Sequence, residues 1–99
     1  MDKSYVYILT NKYHTVFYVG VTNNIAMRAH LHRTKFNRGF TYRYNITKLV
    51  YYERFYSIVE AIKREKKLKK WERRWKIQLI EKINPTWRDL YEDYGCEPY

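Results

Sequence analysis

The chain is 99 residues long, carries 20 Lys and Arg against 10 Asp and Glu for a formal charge of +10, and contains 12 tyrosines. This length fits a single domain over residues 1–99 around one core, and 3 Gly with 2 Pro are too few for a linker-rich or low-complexity chain. No run of about 18 apolar residues is present to span a membrane, the opening MDKSYVYILT lacks the apolar stretch and small-residue cleavage site of a signal peptide, and the lone Cys96 excludes an internal disulfide, so a reducing cytoplasm is expected.

YVYILT (residues 5–10) and VFYVGV (residues 16–21) are β-branched and aromatic runs joined by the polar Asn11-Lys12-Tyr13-His14, a pattern that predicts a β-hairpin. A four-residue loop with one closing pair sets Tyr7 opposite Tyr18 and Tyr5 opposite Gly20, and opposed residues share a face. Thr22, Asn23 and Asn24 are turn and N-cap residues ahead of a short helix over about 25–34. On that helix Ile25 and Ala29 form the apolar strip, Arg28 and His32 stand one turn apart beside it, and His30 projects away. The polar stretch 35–45, which includes Gly39, reads as a loop, and KLVYYERFY (residues 48–56) as a third strand. Ser57-Ile58-Val59-Glu60 matches the capping box S-x-x-E. It opens a helix with Ile58, Ala61, Ile62 and Leu68 on its apolar side, which continues through a break near Trp71 to Ile83, where Asn84-Pro85 stops it. The order ββαβαα describes an α+β fold, a three-stranded antiparallel sheet flanked by helices.

The charge is unevenly placed. Residues 63–76, KREKKLKKWERRWK, hold nine basic and two acidic residues, whereas residues 77–99 hold two basic and five acidic ones. A solvated helix face is the ordinary meaning of such a run, yet cations at this density repel one another unless a polyanion neutralises them. Aromatics also lie among cations in RTKFNRGFTYRY (residues 33–44), where rings can stack on unpaired bases. The balance points to nucleic acid rather than an anionic membrane surface, with Arg33, Lys35, Arg38, Arg43, Lys66, Lys67 and Lys70 as the contacting side chains.

Two glutamates on the helix from Ser57 differ in phase. Glu60 serves the cap and points away from the apolar strip, whereas Glu65 falls between Ala61, Ile62 and Leu68 on its centre line. A carboxylate there is costly unless it is paired, hydrogen-bonded or bound to a cation; the plain alternative is an ion pair with a neighbouring arginine, and Glu72 shares the phase if the helix is unbroken. H-E-x-x-H, C-x-x-C and Asp-rich loops are missing, which argues against zinc. Ser4 and Ser57 are the only serines and Ser57 is accounted for as a cap, so a serine nucleophile is weakly supported too. A hydrolase built from this chain has tyrosine, arginine, histidine and one carboxylate with a hard cation to work with. Trp71, Trp75 and Trp87 are expected in packing, and His14 and His30 in loop and solvent.

In order along the chain, YVY (residues 5–7), YVG (residues 18–20), Asn24-Ile25 with Arg28 and His32, Glu60-Ala61 with Glu65 and Leu68, and Asn84-Pro85 with Trp87 and Asp89-Leu90 resemble the successive blocks of the GIY-YIG nuclease superfamily. The resemblance is to its small stand-alone bacterial members and covers residues 4–91. Tyr5 replaces the first glycine, Leu31 stands where many members have Glu, and Met27 where many have a basic residue.

The resemblance implies a divalent-metal-dependent endonuclease acting on DNA phosphodiesters, with RNA or branched or damaged DNA as alternatives. It implies Tyr18 as general base, Tyr7 and His32 as supporting hydrogen-bonding groups, Arg28 as phosphate clamp, and Glu65 as ligand of one Mg²⁺ or Mn²⁺ ion, with Gly20 and Asn84 supporting. Elementary chemistry agrees: tyrosine has a reference pKa of about 10, so only about 0.1% is phenolate at pH 7, and a guanidinium and a cation nearby favour the ionised form. A lone carboxylate that leaves most positions to water suits Mg²⁺ or Mn²⁺. No membrane and no obligate protein partner are implied. The rival readings are a nucleic-acid-binding module of the same fold without turnover and, further off, a domain whose basic helix docks an acidic protein.

Overall fold

The computed structural model describes residues 3–25, 27 and 45–93. Strands β1 (Ser4–Thr10), β2 (Phe17–Thr22) and β3 (Lys48–Phe55) form an antiparallel sheet ordered β2-β1-β3, so the first strand is central and the other two are its edges. Helices α1 (Ile58–Lys70) and α2 (Arg73–Ile83) follow, then a 3₁₀ turn at Leu90–Asp93 that the sequence reading did not include. The α+β class and the antiparallel three-stranded sheet are as expected. The helix over about 25–34 lies almost wholly outside the described residues, but its start is visible: Asn24 Oδ1 accepts from the Met27 N–H at 3.0 Å, as an N-cap does.

The hairpin register differs from the expected one. Tyr7 faces Gly20, Tyr18 faces Leu9 and Tyr5 faces Thr22, a shift of two residues. The cause is the turn, which occupies residues 11–16 between the closing pair Thr10 and Phe17. Asn11 organises it: Oδ1 accepts from the Thr15 N–H at 2.8 Å and Nδ2 donates to Thr15 Oγ1 at 2.6 Å. Thr10 Oγ1 donates to the Val16 carbonyl at 2.8 Å, and His14 takes a left-handed φ of 58°. Because the shift is even, both tyrosines keep the shared face that the expected register gave them.

Each sheet face has its own core. Val6, Ile8, Val19, Val50 and Tyr51 pack with Ala61 and Leu68 of α1 and Ile80 of α2, with Phe17, Trp71, Leu79 and Trp87 at the margin. Tyr7, Leu9 and Leu49 pack on the other face with Ile25, Ile46 and Tyr91, bordered by Tyr5, Tyr18, Tyr52 and Leu90. β1 is buried on both faces, which is why YVYILT is almost continuously apolar; each fully buried aliphatic side chain contributes about 1.5–3 kcal/mol.

The helical segment breaks after Lys70, where Trp71 and Glu72 have extended backbone. Ser57 caps α1 by accepting from the Glu60 N–H at 3.4 Å, while the Glu60 carboxylate lies 3.7 Å from Lys63 Nζ. Ile58, assigned to the apolar strip from its spacing, is 48% exposed; it is the first residue of α1, a turn ahead of the buried Ala61.

Residues 84–91 strap the edge of β3. A bulge places Ile8 against Tyr51 but Leu9 against Leu49, leaving Val50 as the extra residue. Asn84 Nδ2 donates to the Val50 carbonyl at 3.1 Å, and Asp89 Oδ1 accepts from the Leu49 N–H at 3.2 Å. Side chains of the strap thus bond backbone groups of this edge strand at its bulge. Trp87 remains in the helix-side core and Leu90 and Tyr91 join the tyrosine-side core, so the strap crosses from one face to the other.

Candidate active site

Tyr7 and Tyr18 lie together on the sheet face opposite α1 and α2, ring centroids 6.2 Å apart and planes at 40°. They are diagonal neighbours across the β1–β2 ladder, and Gly20 makes the approach possible. A Cβ on Gly20 would lie 2.5 Å from Tyr7 Oη, 2.6 Å from its Cζ and 3.0 Å from Tyr18 Cε2. The backbone φ of Gly20 is not positive, so space rather than conformation calls for glycine here. Tyr7 is 2% exposed, whereas Tyr18, on the edge strand, is half-buried.

Glu65 belongs to α1, whose Ala61 and Leu68 pack on the opposite sheet face from the tyrosines. Its side chain is only 15% exposed and pairs with Lys69 Nζ at 2.8 Å. Arg64 and Glu65 flank the buried line of α1 on opposite sides. Arg64 turns to Glu53 on β3, and Glu65, on the other flank, turns to Lys69 of its own helix. Glu72, an alternative by phase alone, is the N-cap of α2 and pairs with Arg74 at 3.1 Å in an exposed position. Arg28 and His32, with Arg33, Lys35, Arg38 and Arg43, fall outside the described residues. Lys66, Lys67 and Lys70 are exposed along α1.

Among the described residues no three His, Cys, Asp or Glu side chains converge as a metal cage. The chemistry of a single, nearly buried carboxylate fits a hard ion that keeps most of its water, as Mg²⁺ and Mn²⁺ do, rather than zinc. Such an ion at Glu65 would take the place of the Lys69 ammonium.

Asn84 has a visible structural occupation. Besides the Val50 bond, Nδ2 donates to the Arg88 carbonyl at 2.8 Å and Oδ1 accepts from the Arg88 N–H at 3.0 Å, with the residue 5% exposed.

Two assemblies were not anticipated. Arg64 grips Glu53 with two bonds of 2.9 Å, and Tyr51 Oη donates to the same carboxylate. Burial foremost, then the hydrogen bond to Glu53, pushes the Tyr51 phenol well up; the hydrogen bond to Glu53 raises Arg64. Glu53 is two residues from Tyr51 on the inward side of β3, which is the only sequence signal for it. The second assembly docks the hairpin turn. His14 stacks on Trp87 at 4.3 Å and Phe17 stacks on it at 6.0 Å, while the Arg73 guanidinium covers Phe17 at 4.6 Å. Arg73 also donates to the Thr15 carbonyl at 2.9 Å and to the His14 carbonyl. His14, expected in the loop, is there but half-buried, and burial foremost, then the Lys48 charge, lowers its pKa.

Comparison with known proteins agrees with this frame. The model of the GIY-YIG catalytic domain matches residues 3–78. A UPF0213 protein of Syntrophus aciditrophicus is 41% identical over 86 residues, covering 86% of this chain and 97% of that protein, and one of Staphylococcus haemolyticus is 36% identical over 81 residues, covering 82% and 98%. The solution structure of the UPF0213 protein of Bacillus halodurans superposes with a TM-score of 0.56 at 29% identity, covering 88% of this chain and 92% of that one. With the tyrosines packed across Gly20 and the family model spanning three quarters of its length, this chain belongs to the GIY-YIG family.

Proposed function

We propose that the protein is a cytoplasmic, divalent-metal-dependent endonuclease that hydrolyses DNA phosphodiester bonds. The observation that carries the reading is the Tyr7–Tyr18 pair packed across Gly20 in a chain of the GIY-YIG family. Tyr18, half-buried on an edge strand, supplies the general base of this reading, and the Glu65 carboxylate of α1, 15% exposed, supplies its cation ligand.

In the proposed reaction, water attacks phosphorus and the new O–P bond forms as the bond to the leaving oxygen breaks. Tyr18 takes the water proton, supported by Tyr7 and His32, and the leaving oxygen is protonated from solvent. Arg28 neutralises the nonbridging oxygens. Glu65 would hold an Mg²⁺ or Mn²⁺ ion, whose positive charge would favour departure of the leaving group. Gly20 and Asn84 act indirectly, Gly20 by admitting the Tyr7 ring and Asn84 by anchoring the strap. The basic side chains Arg33, Lys35, Arg38, Arg43, Lys66, Lys67 and Lys70 hold the DNA backbone.

Supercoiled plasmid tests this directly. The wild type is expected to nick it with Mg²⁺ or Mn²⁺, and EDTA, Glu65→Ala or Tyr18→Phe to stop the cutting while DNA binding persists. One observation favours a second reading: the Glu65 carboxylate is paired with Lys69, as suits a nucleic-acid-binding module without turnover. Binding with no nicking, and no difference between wild type and Glu65→Ala, would decide for that module.

A further inference from the structure

The break between α1 and α2 leaves an aromatic corner outside the proposed active site. The rings of Trp71 and Trp75 stand edge to face, centroids 6.0 Å apart and planes at 88°. They wall a cleft of 310 Å³ completed by Gln78, Leu79 and Lys82. This lies at the lower end of the ~300–1,000 Å³ usual for small-ligand clefts, room for one planar group rather than for a duplex. Trp71 and Leu79 rest on the helix-side core, and Trp71 is held further by the Arg64 guanidinium, 5.3 Å from its ring centroid. Arg64 is itself fixed by Glu53. Trp75 is 44% exposed, which leaves part of its indole open to a partner in the cleft.

We infer that this cleft is a second nucleic-acid site, in which an unpaired base stacks on Trp75 against the edge of Trp71 while neighbouring cations hold the flanking phosphates. The inference rests on the functional reading above only in taking nucleic acid as the partner. A flat apolar wall, an amide at Gln78 and an ammonium at Lys82 are the chemistry that a base and its phosphate require. Helical phase sets the exposed Lys67 on the Arg64 flank of α1, and Lys70 directly precedes Trp71 in the chain. The alternative occupant, a second copy of the chain, is disfavoured by charge. A two-fold contact would set residues 63–76, nine basic against two acidic, close to the same stretch of its partner. The site lies on the helical side of the sheet, away from the tyrosines, so it selects DNA with unpaired segments without taking part in cutting.

The test uses the full chain, a short single strand carrying one 2-aminopurine, and the same sequence as a duplex. Wild-type protein is expected to quench the 2-aminopurine in the single strand. Trp75→Ala is expected to abolish the quench and weaken single-strand binding about tenfold with duplex binding unchanged, and Trp75→Phe to retain most of both. Gln78→Glu, a surface change that brings a carboxylate to the cleft, is expected to weaken single-strand binding as well; an unaltered melting temperature in each variant separates these effects from misfolding. The inference is overturned if Trp75→Ala binds the single strand like the wild type, if it loses both substrates equally, or if the wild type is a dimer that the substitution splits. Glu65→Ala separates the two proposals, since it should leave the quench intact. A protein that quenches but never cuts loses the enzyme reading alone, and one that cuts without quenching loses only this site.

Discussion

Gly20→Ala is the substitution from which the geometry demands most. The added methyl would meet Tyr7 Oη at 2.5 Å and Cζ at 2.6 Å, well inside any tolerated contact, and Tyr18 Cε2 at 3.0 Å. Tyr7 has little room to withdraw, because it is 2% exposed and packed with Leu9, Leu49 and Ile46. Overpacking of this kind costs about 1–3 kcal/mol. Against it stands the loss of unfolded-state freedom, which favours alanine by about 0.4–1 kcal/mol where φ is permissive, as it is at this non-positive φ. The net expectation is a loss of about 1–2 kcal/mol, a fall in Tm of about 5–15 °C for a chain of this size. Plasmid nicking should fall further than stability, since the displaced ring belongs to the proposed site. A double-mutant cycle read by thermal melting isolates the cause: in a Tyr7→Ala background the same Gly20→Ala change should be neutral or stabilising. If Gly20→Ala costs the same with or without the Tyr7 ring, the close approach of ring to backbone is not what requires glycine, and the account of the YVG segment is wrong.

Two further expectations follow from the polar assemblies. Glu53→Ala deprives Arg64 of its carboxylate and Tyr51 of its acceptor; with both ends of the pair about one-fifth exposed, the loss should be about 1–3 kcal/mol in urea unfolding, and a wild-type midpoint would refute the network's importance. Because the Tyr51 phenol is raised by burial first and by Glu53 second, its contribution is complete below the unfolded value of about 10 and declines above it, so wild-type Tm should drop on alkaline titration more steeply than that of Tyr51→Phe. His14 has the opposite sign. Its folded pKa is depressed by burial and by Lys48, whose ammonium lies 3.2 Å from Nε2; its contribution is complete above about pH 6.5 and is lost as pH falls toward the folded value. Melting between pH 7.5 and 5 should show this acid-side loss and His14→Gln should flatten it; identical slopes would refute the linkage.

Local chemistry carried much of the fold in the amino-acid order. β-Branched and aromatic runs made the strands, Ser57 and Asn24 marked helix starts, and Asn84-Pro85 marked a stop, because each depends on neighbours within a turn of the chain. The membership of Tyr7 and Tyr18 on one face was legible for the same reason: strand alternation preserves it under any even shift. The register itself was not, since it depended on Asn11 and Thr10 closing a six-residue turn through side-chain bonds that spacing alone does not encode. The role of Gly20 belonged to the tertiary structure as well, because the ring that needs its space comes from another strand. So did the positions of Asn84 and Asp89 against the β3 bulge, about forty residues away in sequence; the helix break that separates Glu65 from Glu72 lies at Trp71, where the sequence placed it. The sequence by itself determined the three strands, α1 and α2, the alternation of faces along the strands and the family. Only packing between distant segments decided which of those faces meet, because burial and hydrogen-bond satisfaction are settled jointly by the whole chain.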